Sequence, residues 1–369
     1  MLLSPVARRT ASLLSSLSVL LAGGVLTTAT AVAAPATAEP VATATVHRDA
    51  TTPGLTEDES TWREVLDDHP DIEEVWTHSP SMNRDIPLLV RPASEPGAPT
   101  LYLLNGVDGG REDHHWFGQG LATEFFADKN VNVVVPVDGK NSYYSDWLST
   151  STLDRADRGG QRQQWGTYLA EELPGPLEAS LHANGTRAVA GVSMAATSAV
   201  QLVQDNPGLY SAAAGLSGCY DTTSPQGRGM VDAVVSNDDS GATTDQLWGP
   251  VTGDVARAHD PAANVGKLRP EVQGSQLPLY ISAARGNPSG AEARGLREMP
   301  DVAERAGNLA AGTGLEAGAF YCTMNFERQL ADAGVPATVH YAPAGLHSWH
   351  YFSLALQDAW PTLSRGLGV

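Results

Sequence analysis

The sequence predicts an α/β protein with a mostly parallel central sheet covered by helices on both faces, in a single domain over residues 61–369. Three observations lead there. Short apolar runs alternate with stretches of helical spacing over about 280 residues, the pattern of a sheet buried on both sides. The runs are closely followed by Gly, Pro, Asn or Asp, as buried strands are. One run, Arg187 to Val192, passes at once into a helix at Ser193.

The early strands are Ile86 to Val90, Thr100 to Leu104 and Val131 to Val135; the late ones are Leu277 to Ala283 and Ala337 to Tyr341. Order is expected to begin near Trp62. Gln161 to Leu181 has helical spacing, with Pro174 and Pro176 placed to bend or divide it. Met194 to Val203 is the helix that follows Ser193. Between Gln226 and Asn264 the pattern weakens into an insertion of short helices or loops. Ala291 to Gly314 reads as a mobile loop followed by a helix.

Ahead of the domain, residues 1–33 have the form of an export signal: Arg8 and Arg9, an apolar stretch from Leu13 to Leu26, then the small-residue pattern Ala31-Val32-Ala33. The apolar stretch is about 14 residues, whereas a spanning helix needs roughly 20. Residues 34–60 read as a flexible Thr/Ala/Pro-rich spacer. A secreted or wall-associated protein is therefore expected.

The formal charge of −19 weighs against nucleic acid and against electrostatic docking on anionic lipid, because such a surface repels phosphates. Apolar residues make up 42% of the chain, enough to fill a sizeable core. The two cysteines, Cys219 and Cys322, lack metal spacing and in an exported protein most simply form one disulfide, although two buried free thiols also fit. No metal or cofactor is called for, and no stable protein partner is implied.

The chemistry centres on Gly191-Val192-Ser193-Met194-Ala195, a nucleophile-elbow pattern. Small neighbours permit the sharp strand-to-helix turn that projects the serine hydroxyl beyond the sheet. The turn also aims the Met194 N–H at the space where an oxyanion would form. A second donor is expected from the Gly-rich loop after Leu104, with Val107 as the choice. The base should follow the nucleophile in the chain. His347 lies in a loop soon after the last strand, with His350 its near competitor, while His340 sits inside the strand and reads as a packed core histidine. The acid is left open among Glu292, Glu298, Asp301 and Glu304.

Taken together, these segments resemble the secreted mycolyltransferases, the family that includes the mycobacterial antigen 85 complex and corynebacterial relatives. The resemblance runs through Ser79 to Ile86, Tyr102 to Gly106, Ser142 to Trp147, Glu171 to Pro174, Gly191 to Ala195, Leu216-Ser217, Trp248 to Pro250 and His347 to Trp349. Phe125 to Val133 looks closest to the corynebacterial branch. The resemblance implies an α/β-hydrolase fold in which a serine takes a mycoloyl group from trehalose monomycolate and passes it to a second trehalose monomycolate or to arabinogalactan. It implies Ser193 as nucleophile, His347 as base and Val107 and Met194 as oxyanion donors. It also implies a substrate site around Asn105, Asp108, Trp116, Ser348 and Trp349. Met299-Pro300 is similar to the pair preceding the family's acid and, although the spacing falls one residue short, selects Glu304. Asn105 and Asp108 depart from the family's Asp and Arg at those places. A secreted carboxylesterase and a non-catalytic wall-binding protein are the alternative readings.

Overall fold

The computed structural model describes residues 41–48, 60–156, 159–237 and 241–369. The expected export signal and most of the expected spacer lie outside them. Val41–Val369 forms one compact unit. Its nine strands are β1 (Thr45–His47), β2 (Glu73–Ser79), β3 (Arg84–Arg91), β4 (Thr100–Leu104), β5 (Asn132–Pro136), β6 (Arg187–Val192), β7 (Ala212–Leu216), β8 (Leu279–Ala284) and β9 (Thr338–Ala342). They pair in the order β1-β2-β3-β5-β4-β6-β7-β8-β9. The pairs among β1, β2, β3 and β5 are antiparallel, and those from β5 through β4 to β9 are parallel.

Alternation of side chains across the pleat sends residues of one strand to two separate cores. Tyr102, Leu104, Val189, Ala213 and Ile281 share a core on one face. Leu101, Leu103, Ala188, Ala190, Ala212 and Tyr280 share the other. The helices that matter for the site are α1 (Ala122–Phe126), α2 (Pro174–Ser180), α3 (Met194–Asp205), α4 (Pro225–Val235), α5 (Gly290–Glu298), α6 (Val302–Asp332) and α7 (Trp349–Leu367). Phe326 and Leu330 of α6 pack into the first core together with α3, and Phe352, Leu356 and Leu363 of α7 pack into the second.

The six strands legible in the sequence all form, shifted by no more than two residues. Pro174 opens α2 after a short helix and a π-helical turn, Tyr168–Glu172, so Gln161 to Leu181 is divided as its prolines require. The insertion after Gln226 contains α4 and short helices at Thr244–Leu247 and Asp254–Ala258.

Three readings need correction. The spacer is interrupted by β1, in which Val46 pairs with Thr77 while Ala44 packs into the first core. An edge strand takes its stability from backbone pairing with its neighbour, so it needs no apolar period of its own. Ala291 to Gly314 is not a loop followed by a helix: α5 ends at Glu298, and Asp301 caps α6 by accepting from the Ala303 and Glu304 N–H groups. His340 is not a core residue. Its strand β9 lies at the sheet edge, and its side chain is 44% exposed and paired with Asp358 at 3.0 Å.

Candidate active site

All the parallel strands end on one edge of the sheet, so the segments following β4, β6, β7, β8 and β9 converge there. Ser193 follows β6 with φ +55°, a conformation that costs energy for a residue bearing a Cβ and that turns its hydroxyl out of the sheet. The turn closes only because position 191 is glycine: a Cβ there would lie 2.0 Å from the Ala195 carbonyl oxygen. The Ser193 N–H is tied to the β7 carbonyl of Leu216 at 2.8 Å, which fixes the strained turn against the sheet.

His347 comes from the β9–α7 loop, and its Nε2 lies 2.8 Å from Ser193 Oγ. Its Nδ1 lies 2.8 Å from Oε2 of Glu316, a carboxylate with no solvent exposure. The other oxygen of Glu316, Oε1, accepts from Ser217 Oγ at 2.9 Å and from the Ala284 N–H at 2.6 Å. Four chain segments thus fix one hydrogen-bonded line: the ends of β7 and β8 hold the carboxylate, α6 carries it, and the loop after β9 carries the imidazole. The same helix also receives the loop, since the His347 N–H donates to Gly312 O at 3.0 Å.

Glu304, expected as the acid, lies exposed in the first turn of α6, while Glu316 stands three turns further along. Sequence reasoning missed Glu316 because it searched for a carboxylate soon after β8. A signal was present: Glu316 is the single charged residue between Arg305 and Glu327. Glu292 does not touch the imidazole but brackets its loop, because Oε1 accepts from the Leu346 N–H at 3.0 Å and from Ser348 Oγ at 2.6 Å. Its Oε2 accepts from the Ser289 N–H, closing the capping box of α5. These hydrogen bonds hold its carboxyl below the ordinary range against the opposing effect of burial. Glu298 and Asp301 lie on or beside the exposed α5–α6 corner, and His350 is exposed.

Val107 lines the cavity beside Ser193, and Met194 is the first residue of α3, where a helix leaves its N–H groups unsatisfied. Among the described residues no acceptor takes either N–H. Asn105 is fully buried, and its amide donates to Pro136 O at 2.8 Å, so it braces the Val107 loop from beneath. Trp116 is also buried. Its indole donates to Leu104 O at 2.9 Å and its ring meets the half-buried Trp349 edge-on at 5.3 Å. Asp108 pairs with His114 at 3.5 Å, and this contact lowers the carboxyl below, and raises the imidazole above, the ordinary values. Ser348 caps α7. None of the five residues expected around the substrate lines the cavity at Ser193.

That cavity has a volume of about 590 Å³ and runs from Ser193 and His347 between α4 and α6. Its walls include Met230, Ala233, Val234, Leu315 and Tyr321, and contain no Asp, Glu, Lys or Arg. Cys219 and Cys322 also line it and are joined as a disulfide that links the end of β7 to α6. A hydroxyl activated by an imidazole, with two free N–H groups beside an apolar cleft, suits attack on the ester of a long acyl group.

Comparison with known proteins agrees with this geometry. The Esterase family model matches residues 79–363. The chain is 31% identical over 302 residues to the diacylglycerol acyltransferase/mycolyltransferase Ag85A of Mycobacterium tuberculosis, covering 81% of this chain and 82% of that one. It is 28% identical over 300 residues to Ag85A of Mycobacterium leprae, with 81% and 84% covered. Among solved structures it is similar to MPT51 (FbpC1) of Mycobacterium tuberculosis, with a TM-score of 0.61 at 22% identity over 80% of this chain and 98% of that one. It is also similar in fold to the serine hydrolase FphF of Staphylococcus aureus, with a TM-score of 0.57 at 13% identity over 80% and 98%. The chain therefore belongs to the Esterase family, alongside the antigen 85 acyltransferases, and is an α/β-hydrolase of the acyltransferase or esterase kind.

Proposed function

We propose that the chain is an exported acyltransferase that moves a mycoloyl group from trehalose monomycolate to a second trehalose monomycolate or to arabinogalactan, with Ser193, His347 and Glu316 as its catalytic residues. The observation that carries this reading is the Ser193–His347–Glu316 line at the mouth of an uncharged cleft. Ser193 Oγ attacks the ester carbonyl while His347 Nε2 takes its proton. Charge developing on the carbonyl oxygen meets the Val107 and Met194 N–H groups. The tetrahedral intermediate collapses as His347 returns the proton to the departing sugar oxygen, leaving the acyl group on Ser193. An acceptor hydroxyl then gives its proton to His347 and attacks the acyl-serine, and the second intermediate collapses by breaking the acyl–Oγ bond as His347 returns that proton to Ser193 Oγ. Glu316 orients the imidazole and stabilises its charged form in both halves.

The identity to the antigen 85 acyltransferases supports transfer, and the Esterase match supports the competing outcome, in which water replaces the acceptor. Export is supported by the leader pattern of residues 1–33 and by the disulfide, a bond that persists in oxidising compartments. The test is incubation with labelled trehalose monomycolate. Trehalose dimycolate is the expected product, free acid alone would mark an esterase, and no turnover would mark a binding protein. Ser193→Ala is expected to lose at least ~10³-fold in turnover while remaining folded, because the acyl-enzyme no longer forms.

A further inference from the structure

Backbone strain is concentrated in the segment that follows β5. Of the ten non-glycine residues with positive φ among those described, three fall within Asn141–Tyr144: Asn141 at +59°, Tyr143 at +53° and Tyr144 at +43°. Aromatic residues gain nothing from that conformation, so surrounding contacts impose it. Those contacts lead to both oxyanion donors. The Tyr143 N–H donates to Sδ of Met194 at 3.2 Å, and the Ser198 hydroxyl of α3 donates to the Tyr143 carbonyl at 2.6 Å. The Asn141 N–H donates to the Val107 carbonyl at 2.9 Å. Val107 is pinned again on its other side, because the Gly106 carbonyl, which shares a planar peptide with the Val107 N–H, accepts from the Gly109 N–H at 3.1 Å. Both peptides flanking Val107 are thus fixed in direction, one of them by Asn141.

The Asn141 side chain adds a second tie. It is fully buried, and its amide donates to the Asn237 carbonyl at 2.8 Å, two residues past the end of α4. Its Oδ1 finds no partner among the described residues, which is unfavourable for a buried amide. Glycine would supply the same φ without burying an amide, so the role of this side chain lies in the tie to Asn237. Val107 and Asn237 both line the cavity at Ser193, while Asn141 stands behind that surface and joins them. We propose that Asn141 is a positioning residue for oxyanion stabilisation: its main chain fixes the Val107 peptide, and its amide anchors that loop to the α4 wall of the cleft. The inference rests on the acyl-transfer reading above and adds a residue that touches neither the cavity nor Ser193. Loss of the amide frees the loop to shift. A displaced donor lowers the rate, because its interaction is made only once the carbonyl carbon becomes tetrahedral.

The test compares Asn141→Gly and Asn141→Asp with wild type, using dissolved p-nitrophenyl butyrate and, as inhibitors, butyl trifluoromethyl ketone and the alcohol obtained by reducing it. Both substitutions tolerate positive φ and keep the main-chain N–H, but neither side chain can donate to Asn237. Asn141→Gly also covers the case in which a buried carboxylate prevents folding. The ketone reports on the oxyanion site: Ser193 Oγ bonds to its carbonyl carbon, the C=O π pair moves to the oxygen, and the serine proton passes to His347 Nε2. The alcohol has no carbonyl and forms no adduct. The variants are expected to lose ~10-fold or more in kcat/KM, mostly in kcat, where outright removal of an oxyanion donor costs ~10²–10³. Ketone inhibition should weaken by the same factor, with inhibition by the alcohol unchanged. A residue needed only for packing would lower the thermal transition and leave the ratio of ketone to alcohol inhibition as in wild type. The proposal is overturned if a folded variant keeps wild-type kcat/KM, if the two inhibitors weaken equally, or if neither variant folds. Wild type that turns over no dissolved ester and forms no ketone adduct would sink the acyl-transfer reading as well, a result distinct from active wild type with indifferent variants.

Discussion

Replacing Glu316 by Gln removes the negative charge that faces His347 while keeping the size of the side chain. In the folded protein Oε2 lies 2.8 Å from Nδ1, and Oε1 already accepts two hydrogen bonds, from Ser217 Oγ and the Ala284 N–H. A glutamine cannot satisfy this arrangement. With its oxygen toward Ser217 and Ala284, its NH₂ group opposes the Nδ1–H of the working tautomer. The imidazolium formed during attack also loses its counter-charge. Two unit charges about 4 Å apart at an effective dielectric of 20 interact by about 4 kcal/mol. At 1.36 kcal/mol per decade this corresponds to roughly a 10³-fold fall in kcat, and the tautomer conflict adds to it. The assay is steady-state hydrolysis of a dissolved p-nitrophenyl ester, with the thermal transition followed on the same preparations. Glu316→Gln should lose kcat with KM little changed, and Glu304→Gln should match wild type because its carboxylate is exposed in the first turn of α6. A folded Glu316→Gln protein keeping more than about a tenth of wild-type kcat would refute the assignment, as would equal damage from Glu304→Gln.

Further expectations concern the shell around this line. Glu292→Ala should lower kcat by about 10- to 100-fold with KM nearly constant, since it frees the residues on both sides of His347; Glu292→Gln, which keeps an acceptor for Leu346 and Ser348, should be milder, and equal losses from both would contradict the bracing role. His115 is 1% exposed, burial pushes its imidazole down to about 4, and its Nδ1 accepts from the Gly118 N–H, which requires the neutral ring. Its folded pKa lies below its unfolded value, so the unfolded chain binds more protons, and the contribution is present above the unfolded pKa and lost as pH falls toward about 4. That contribution is on the order of 3 kcal/mol, and urea unfolding against pH should show a shallower acid decline in His115→Gln. Cys219→Ala/Cys322→Ala opens a loop of 103 positions and should lower unfolding free energy by about 4 kcal/mol, measured in urea without reductant.

The local chain determined much of this protein. Strands buried on both faces are near-continuous apolar runs and stay legible wherever they form, as at β4, β5 and β6, and prolines mark where the helical stretch before Leu181 divides. The elbow was legible because a sharp strand-to-helix turn around a serine admits only small neighbours at 191 and 195. The order of base after nucleophile left four histidines, and a loop position soon after the last strand narrowed these to His347 with His350 as its near competitor. What failed was information that does not travel along the chain. Strand β1 exists because β2 lends it a pairing edge, and β7, an Ala-Ala-Ala-Gly-Leu run, is a strand because its neighbours on both sides supply hydrogen bonds to a sequence that equally suits a helix. Which carboxylate meets the His347 ring was decided by tertiary structure alone. Glu304 and Glu316 lie on one helix 12 residues apart, and only the path of α6 beneath the β9 loop brings the second within 2.8 Å of the imidazole. Backbone propensity and small-residue spacing are local and can be read in a row of letters. Which carboxylate meets which ring depends on the docking of whole elements, decided by the packed core between them.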